Sequence, residues 1–200
     1  MPRTPPPKAL RIAVDAALSV ALAAWLALAA AGGIAAAGVF PRARELGLSL
    51  EGYAQFLAAE PEQGRMLVAG HLVERVFMLV DGPRMVVAVA CVLLALVARR
   101  LGRLGGAAGI LALAAVAAAA LSCAIGVYRV QPSFQEVDGR YRAKALAGEV
   151  ADALVLKKQV DAAHTLASRV ASAEVLAVLL AVAAAAAAAR RDGAGAPAHA

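Results

Sequence analysis

The chain has 200 residues, of which 62% are hydrophobic, a mean hydropathy of +0.73 and a formal net charge of +6 at neutral pH. A soluble domain holds about 45 to 50% apolar residues, so this composition excludes an ordinary water-soluble fold. The basic residues come as singles and doublets without a stripe interleaved with aromatics, which excludes nucleic acid as the reason for the charge.

Residues 1–15 form a Pro-rich basic lead, and Pro2, Pro5, Pro6 and Pro7 keep its first eleven residues from starting a helix. Residues 16–40 then carry no charge. Twenty-five helical residues reach roughly 37 Å, enough to cross a hydrocarbon core of about 30 Å. The run is too long for the apolar part of a cleavable leader. Pro41, Arg42 and Arg44 end this span, and a polar connector follows to Gly64.

Residues 65–80 read as an amphipathic helix: His71, Glu74 and Arg75 share one side, while Leu72, Val73, Val76, Phe77 and Val80 cover the other. Asp81-Gly82-Pro83 breaks or restarts it. The uncharged stretch from Met85 to Ala98 is short, so the second span, 79–98, needs Leu79, Val80 and the stem of Arg84, with the guanidinium reaching to the headgroups. A basic, Gly-rich turn separates it from the third span, 107–128.

The segment from Arg129 to Arg142 is polar and reads as irregular. A second amphipathic helix follows over 143–170, with Leu146, Val150, Ala153, Leu154, Val160 and Ala167 on one stripe and Lys157 intruding on it. The last span, 170–189, ends in a run of alanines, with Glu174 near one boundary, and 190–200 is a Gly/Pro/Ala tail containing His199. The fold class is therefore all-α and integral to a membrane: a four-transmembrane-helix bundle with two amphipathic interfacial or extramembrane helices. Aromatics are only 4%, so these alanine-rich helices must pack through small side chains.

Lys and Arg are densest in the lead, the turn after residue 98 and the tail, which four spans put on one side. The positive-inside rule makes that side cytoplasmic, giving N-in/C-in in a bacterial inner membrane. Cys91 and Cys123 lie at depths about 12 Å apart and read as free, buried hydrophobes.

His71 with Glu74, and Asp161 with His164, are acid/His pairs at i, i+3, a spacing that puts both members on one helix face. Pairs like these converge in bundle metal sites, so His164 and Asp161 are the candidate metal ligands. The Arg75 cation beside His71 disfavours a dication there, and that pair reads first as a solvated face. His164 sits within the apolar stripe and reads first as a hydrogen-bonded packing histidine. Asp15, Asp81, Arg84 and Glu174 all lie where they can reach an interface. Gly32-Gly33 reads as a packing contact. Nucleotide loops and metalloprotease, redox or nucleophile-elbow motifs are missing from the sequence, and the cofactor is left unknown.

Three features together resemble a known family: Trp25 in a first span ending in Val39-Phe40-Pro41, the run Gly64-Arg65-Met66-Leu67-Val68 leading to Phe77, and His164 with Ser168 before the last span. They are similar to bacterial four-helix membrane proteins related to transmembrane protein 205 (domain of unknown function 4149). The resemblance implies the topology and draws attention to His164, Ser168 and residues 64–77, without implying a reaction. The expected function is non-enzymatic handling of a metal ion or small solute in the lipid bilayer. The alternative is a structural or partner-binding subunit whose alanine faces dock other membrane helices or a second copy. A membrane enzyme ranks third, since no nucleophile, base and orienting group assemble.

Overall fold

The computed structural model describes residues 7–47 and 50–194, with side chains through Arg190. His199 and most of the tail lie outside the described residues, as does the start of the lead. All regular structure described is helical: α1 is Lys8–Glu45, a 3₁₀ turn covers Glu51–Tyr53, and α2 is Ala54–Ala59. Then come α3, Pro61–Arg100; α4, Gly106–Ile125; a π-helical turn, Gly126–Val130; α5, Gln131–Leu146; and α6, Val150–Ala194. Four stretches, Lys8–Glu45, Pro61–Arg100, Gly106–Leu146 and Val150–Arg190, are long and apolar enough to cross a membrane.

Several expected boundaries are not there. Helix α1 starts at Lys8, inside the lead, because Pro7 needs no N–H at a helix start and its carbonyl accepts from Leu10 N and Arg11 N. It also runs on through Pro41, and α3 runs through Pro83. A proline inside a helix removes one backbone bond, and long helices tolerate the loss where the neighbouring turns hold. Residues 65–80 are thus the first part of α3 and not a separate amphipathic helix. The segment from 129 to 142, expected to be irregular, is helical, with Pro132 in the first turn of α5 where its missing donor costs nothing.

The expected helix over 143–170 is divided instead at Gly148, whose φ of 72° closes α5. Gly148 N donates to Ala145 O and Glu149 N to Lys144 O, the paired bonds of a Schellman end. A Cβ at Gly148 would also lie 1.9 Å from Gln55 Oε1.

The chain forms two compact units. The first draws on residues up to Ala29, on Pro83–Cys123 and on residues from Ser172 onward. Its buried positions fall on one seam per helix: Val14, Leu18, Leu22 and Trp25 on α1; Arg84, Ala88, Cys91, Ala95 and Ala98 on α3; Ala112, Val116, Ala119 and Cys123 on α4; Glu174, Val178, Ala181, Ala184 and Ala188 on α6. Steps of three and four residues are those of helices packed side by side at shallow angles. The seams are mostly alanine and cysteine, which lets backbones approach closely. Both cysteines are free. The α3–α4 turn folds tightly on the start of α4: Arg99 Nη1 donates to Leu104 O at 2.5 Å, and a Cβ on Gly109 would come within 2.1 Å of the Leu104 carbonyl carbon.

The second unit comprises Ala30–Gly82 and Ala124–Ala171. Tyr53 and Phe56 are buried against Leu67, Tyr141, Ala145, Ala153 and Leu156, so the short α2 is held by α3, α5 and α6. The Phe56 and Tyr141 rings meet edge to face at 6.0 Å. The Phe77 ring covers Gly32, where a Cβ would lie 2.2 Å from it, while Gly33 meets nothing. Gly32 is therefore a packing contact.

Gly109→Ala forces a methyl into the Leu104 backbone and is expected to destabilise the protein by about 1 to 3 kcal/mol. Gly139→Ala, in the interior of α5 with open space around it, is expected to be neutral or to stabilise by up to about 1 kcal/mol. Thermal unfolding in mild detergent compares the two.

Candidate functional site

Within the first unit, the sequence reading of Glu174 as a boundary group fails. Glu174 is 1% exposed and Trp25 0% exposed. Trp25 Nε1 donates to Glu174 Oε1 at 2.9 Å, and Arg84 Nε lies 3.8 Å from the same oxygen. The Arg84 side chain is only 11% exposed, so the guanidinium is turned inward and does not snorkel. Cys123 adjoins this pair and its thiol contacts Met85 Sδ at 3.4 Å. Two opposite charges and an indole thus meet inside an otherwise apolar seam. Seen along the sequence, Arg84 and Glu174 each sit one turn into a short apolar segment, which is why they looked able to reach water.

A larger polar cluster belongs to the second unit, and its hub is Arg142 of α5. Arg142 Nη1 donates to Glu74 Oε2 at 2.6 Å and approaches His71 Nδ1 at 2.8 Å, while Nη2 pairs with Asp138 Oδ2 at 2.5 Å. His71 Nε2 is 2.9 Å from Tyr53 Oη. Arginine only donates, so Nδ1 must accept, the ring is neutral, and its proton sits on Nε2 facing the Tyr53 oxygen. Burial lowers the His71 pKa from 6.5, the Arg142 cation lowers it further, and Glu74 and Asp138 pull the other way. Burial raises Asp138 above its ordinary 3.8 against the pull of Arg142, and raises Tyr53 above 10.0.

The expectation that His71 and Glu74 share a face is met, with Nδ1 and Oε2 3.9 Å apart and both side chains about one-third exposed. They are not a freely solvated pair, however. The cation beside them is Arg142, from a helix that the sequence reading left as an irregular segment, and not Arg75. Asp138 and Arg142 were missed for the same reason, and Tyr53 because its turn lies in the stretch read as a polar connector. The spacing of Asp138 and Arg142 at i, i+4 was the one available signal, and it points to a pair only once the segment is known to be helical.

The other candidates do not converge. His164 is exposed, its ring centroid 6.2 Å from that of Phe134, so it does not face a packed interface as expected. The buried side of α6 is set by Ala153 and Leu156, with Val150 and Val160 partly buried beside them, so the stripe read off the sequence is covered at the start of α6 and open at His164. Asp161 is exposed and takes Lys157 Nζ on both oxygens at 2.7 Å, and Ser168 is exposed. Among the described residues no three His, Cys, Asp or Glu side chains are grouped so as to hold a metal ion. No family model, curated protein or solved structure matches the chain.

Because the folded state holds His71 neutral, stability is full above pH 6.5 and falls as pH drops from 6.5 through the lowered pKa, where the unfolded chain protonates first. Asp138 acts oppositely, favouring the fold below about 3.8 and losing that effect as pH rises through its raised value. Unfolding midpoints measured from pH 7.5 down to 5 are expected to fall for the wild type and to stay flatter for His71→Gln.

Proposed function

We propose that the chain is a non-enzymatic, multi-pass protein of a bacterial cytoplasmic membrane that serves as a structural or partner-binding subunit. Its apolar spans lie at about 16–40, 79–98, 107–128 and 170–189, with both termini cytoplasmic. The observation that carries this reading is the pairing of its charged side chains with one another. Glu174 is bound by Trp25 and Arg84, Arg142 gathers His71, Glu74 and Asp138, and Lys157 covers Asp161. Groups that satisfy one another fix helix positions, whereas a solute site needs convergent groups left to meet a ligand.

The topology is supported by the ends of the first unit. Asp15 near the start of α1, Arg103 in the α3–α4 turn and Ala189 near the end of α6 line one pocket, so these three basic segments share an end, as the positive-inside rule needs of cytoplasmic flanks. From Arg84 to Arg99 is fifteen residues of α3, or roughly 22 Å of helix. With Arg99 at the boundary of a hydrocarbon core of about 30 Å, the Arg84–Glu174 pair would lie roughly 8 Å inside the opposite boundary. The likeness to the transmembrane-protein-205-related family agrees with this topology.

Small-solute handling is the second reading, favoured by one fact: His71 and Glu74 keep about a third of their side-chain surface exposed. Two measurements decide. Zinc titration of purified wild type, His71→Ala and His164→Ala is expected to give no binding in any; stoichiometric binding lost in either variant would replace the structural reading. A reporter enzyme fused after Arg103 is expected to remain cytoplasmic, and its export would reverse the topology.

A further inference from the structure

The first unit carries an open pocket of about 220 Å³ between α1 and α6. Its polarity is one-ended. Leu18, Leu22 and Leu26 of α1 and Val182, Ala185 and Ala186 of α6 form the walls, and Asp15, Ser19 and Arg103 line one end. Ser19 Oγ is spent on the Asp15 carbonyl at 2.8 Å, and Arg103 Nε donates to Asp15 Oδ2 at 2.7 Å, so the polar end is held in place from within.

The surrounding end is strongly basic. Asp15 and Arg103 tie the start of α1 to the α3–α4 turn, and Ala189 on the same pocket brings in the end of α6. Lys8 and Arg11 of α1, Arg99, Arg100 and Arg103 at the turn, and Arg190 of α6 therefore cluster there. Among the described side chains of that end Asp15 is their one carboxylate. Arg99, Arg100 and Arg190 are exposed, and Arg11 Nε is buried with no hydrogen-bond partner among the described residues.

An apolar slot with a cationic rim at one end matches a molecule with an anionic head and an apolar tail. We infer that this pocket seats one acyl chain of an anionic phospholipid, with the phosphate on the basic rim around Arg100, Arg103 and Arg190. The inference rests on the reading that the first unit lies in a bilayer with this end at the headgroups. Apolar contact with the chain gives residence, and each cation near the headgroup adds about 1 kcal/mol of attraction, roughly a fivefold preference over a lipid without net charge.

The test uses protein purified in mild nonionic detergent and mixed with equal amounts of phosphatidylglycerol and phosphatidylcholine of matched chains, with retained lipid counted by native mass spectrometry. The wild type is expected to retain phosphatidylglycerol at least about fivefold over phosphatidylcholine, and excess inorganic phosphate is expected not to displace it. The double variant R100Q/R190Q, which changes two exposed cations, is expected to bring the ratio near parity, and Ala186→Phe, which fills the slot, to lower retention of both lipids. Equal retention by the wild type, displacement by phosphate, or indifference to both variants would overturn the site. Alkaline extraction of membranes tests the underlying reading separately: protein that stays in the membrane but shows no lipid preference removes the site alone, and protein released by alkali removes the membrane reading as well.

Discussion

A carboxylate that is 1% exposed among alanine and valine is stable only if other groups replace the water it has lost. For Glu174 those groups are the Trp25 indole N–H and the Arg84 guanidinium, and the first unit is arranged around that requirement. With Trp25 the pair connects α1, α3 and α6, and the remaining seam residues of α3 and α6 are small and much alike. A seam built of repeated alanines has many nearly equivalent registers. One polar contact that can be made in only one of them selects it, much as a single buried polar residue fixes register in coiled coils.

Arg142 plays the corresponding part in the second unit. Its planar guanidinium meets three acceptors from two helices, Glu74 and His71 of α3 and Asp138 of its own α5. The neutral His71 ring passes the network on to Tyr53, which lies in the apolar cluster with Phe56 and Tyr141. A polar network and an apolar core therefore share a residue, and loosening one loosens the other. Acid acts on this network directly, because protonating His71 removes the lone pair that Arg142 uses.

The four apolar stretches were legible in the sequence because length without charge is a strong signal, and Gly32 as a packing contact was legible for a related reason. What was hidden follows from tertiary context. Prolines 41 and 83 read as breaks because the local cost of a proline is visible and the support of neighbouring turns is not. Residues 129–142 read as irregular because their polarity carries no helical stripe, and with that helix went Asp138 and Arg142. His164 read as inward-facing because it continues the stripe of Val150, Ala153 and Val160, which is covered at the start of α6 and open by residue 164. Glu174 and Arg84 lie far apart in the chain, and only the packed helices show that each is the other's counter-charge.

The most direct measurement of this account is a double-mutant cycle on Arg84 and Glu174, using Arg84→Met, Glu174→Leu and the double variant, with unfolding free energies measured in detergent micelles. Each single substitution leaves a buried charge without its counterpart and is expected to cost about 3 to 5 kcal/mol. The double variant removes both charges and is expected to cost clearly less than the sum, with a coupling of at least about 1 kcal/mol. Single effects that simply add, or that are negligible, would contradict the claim that this pair holds the bundle in register.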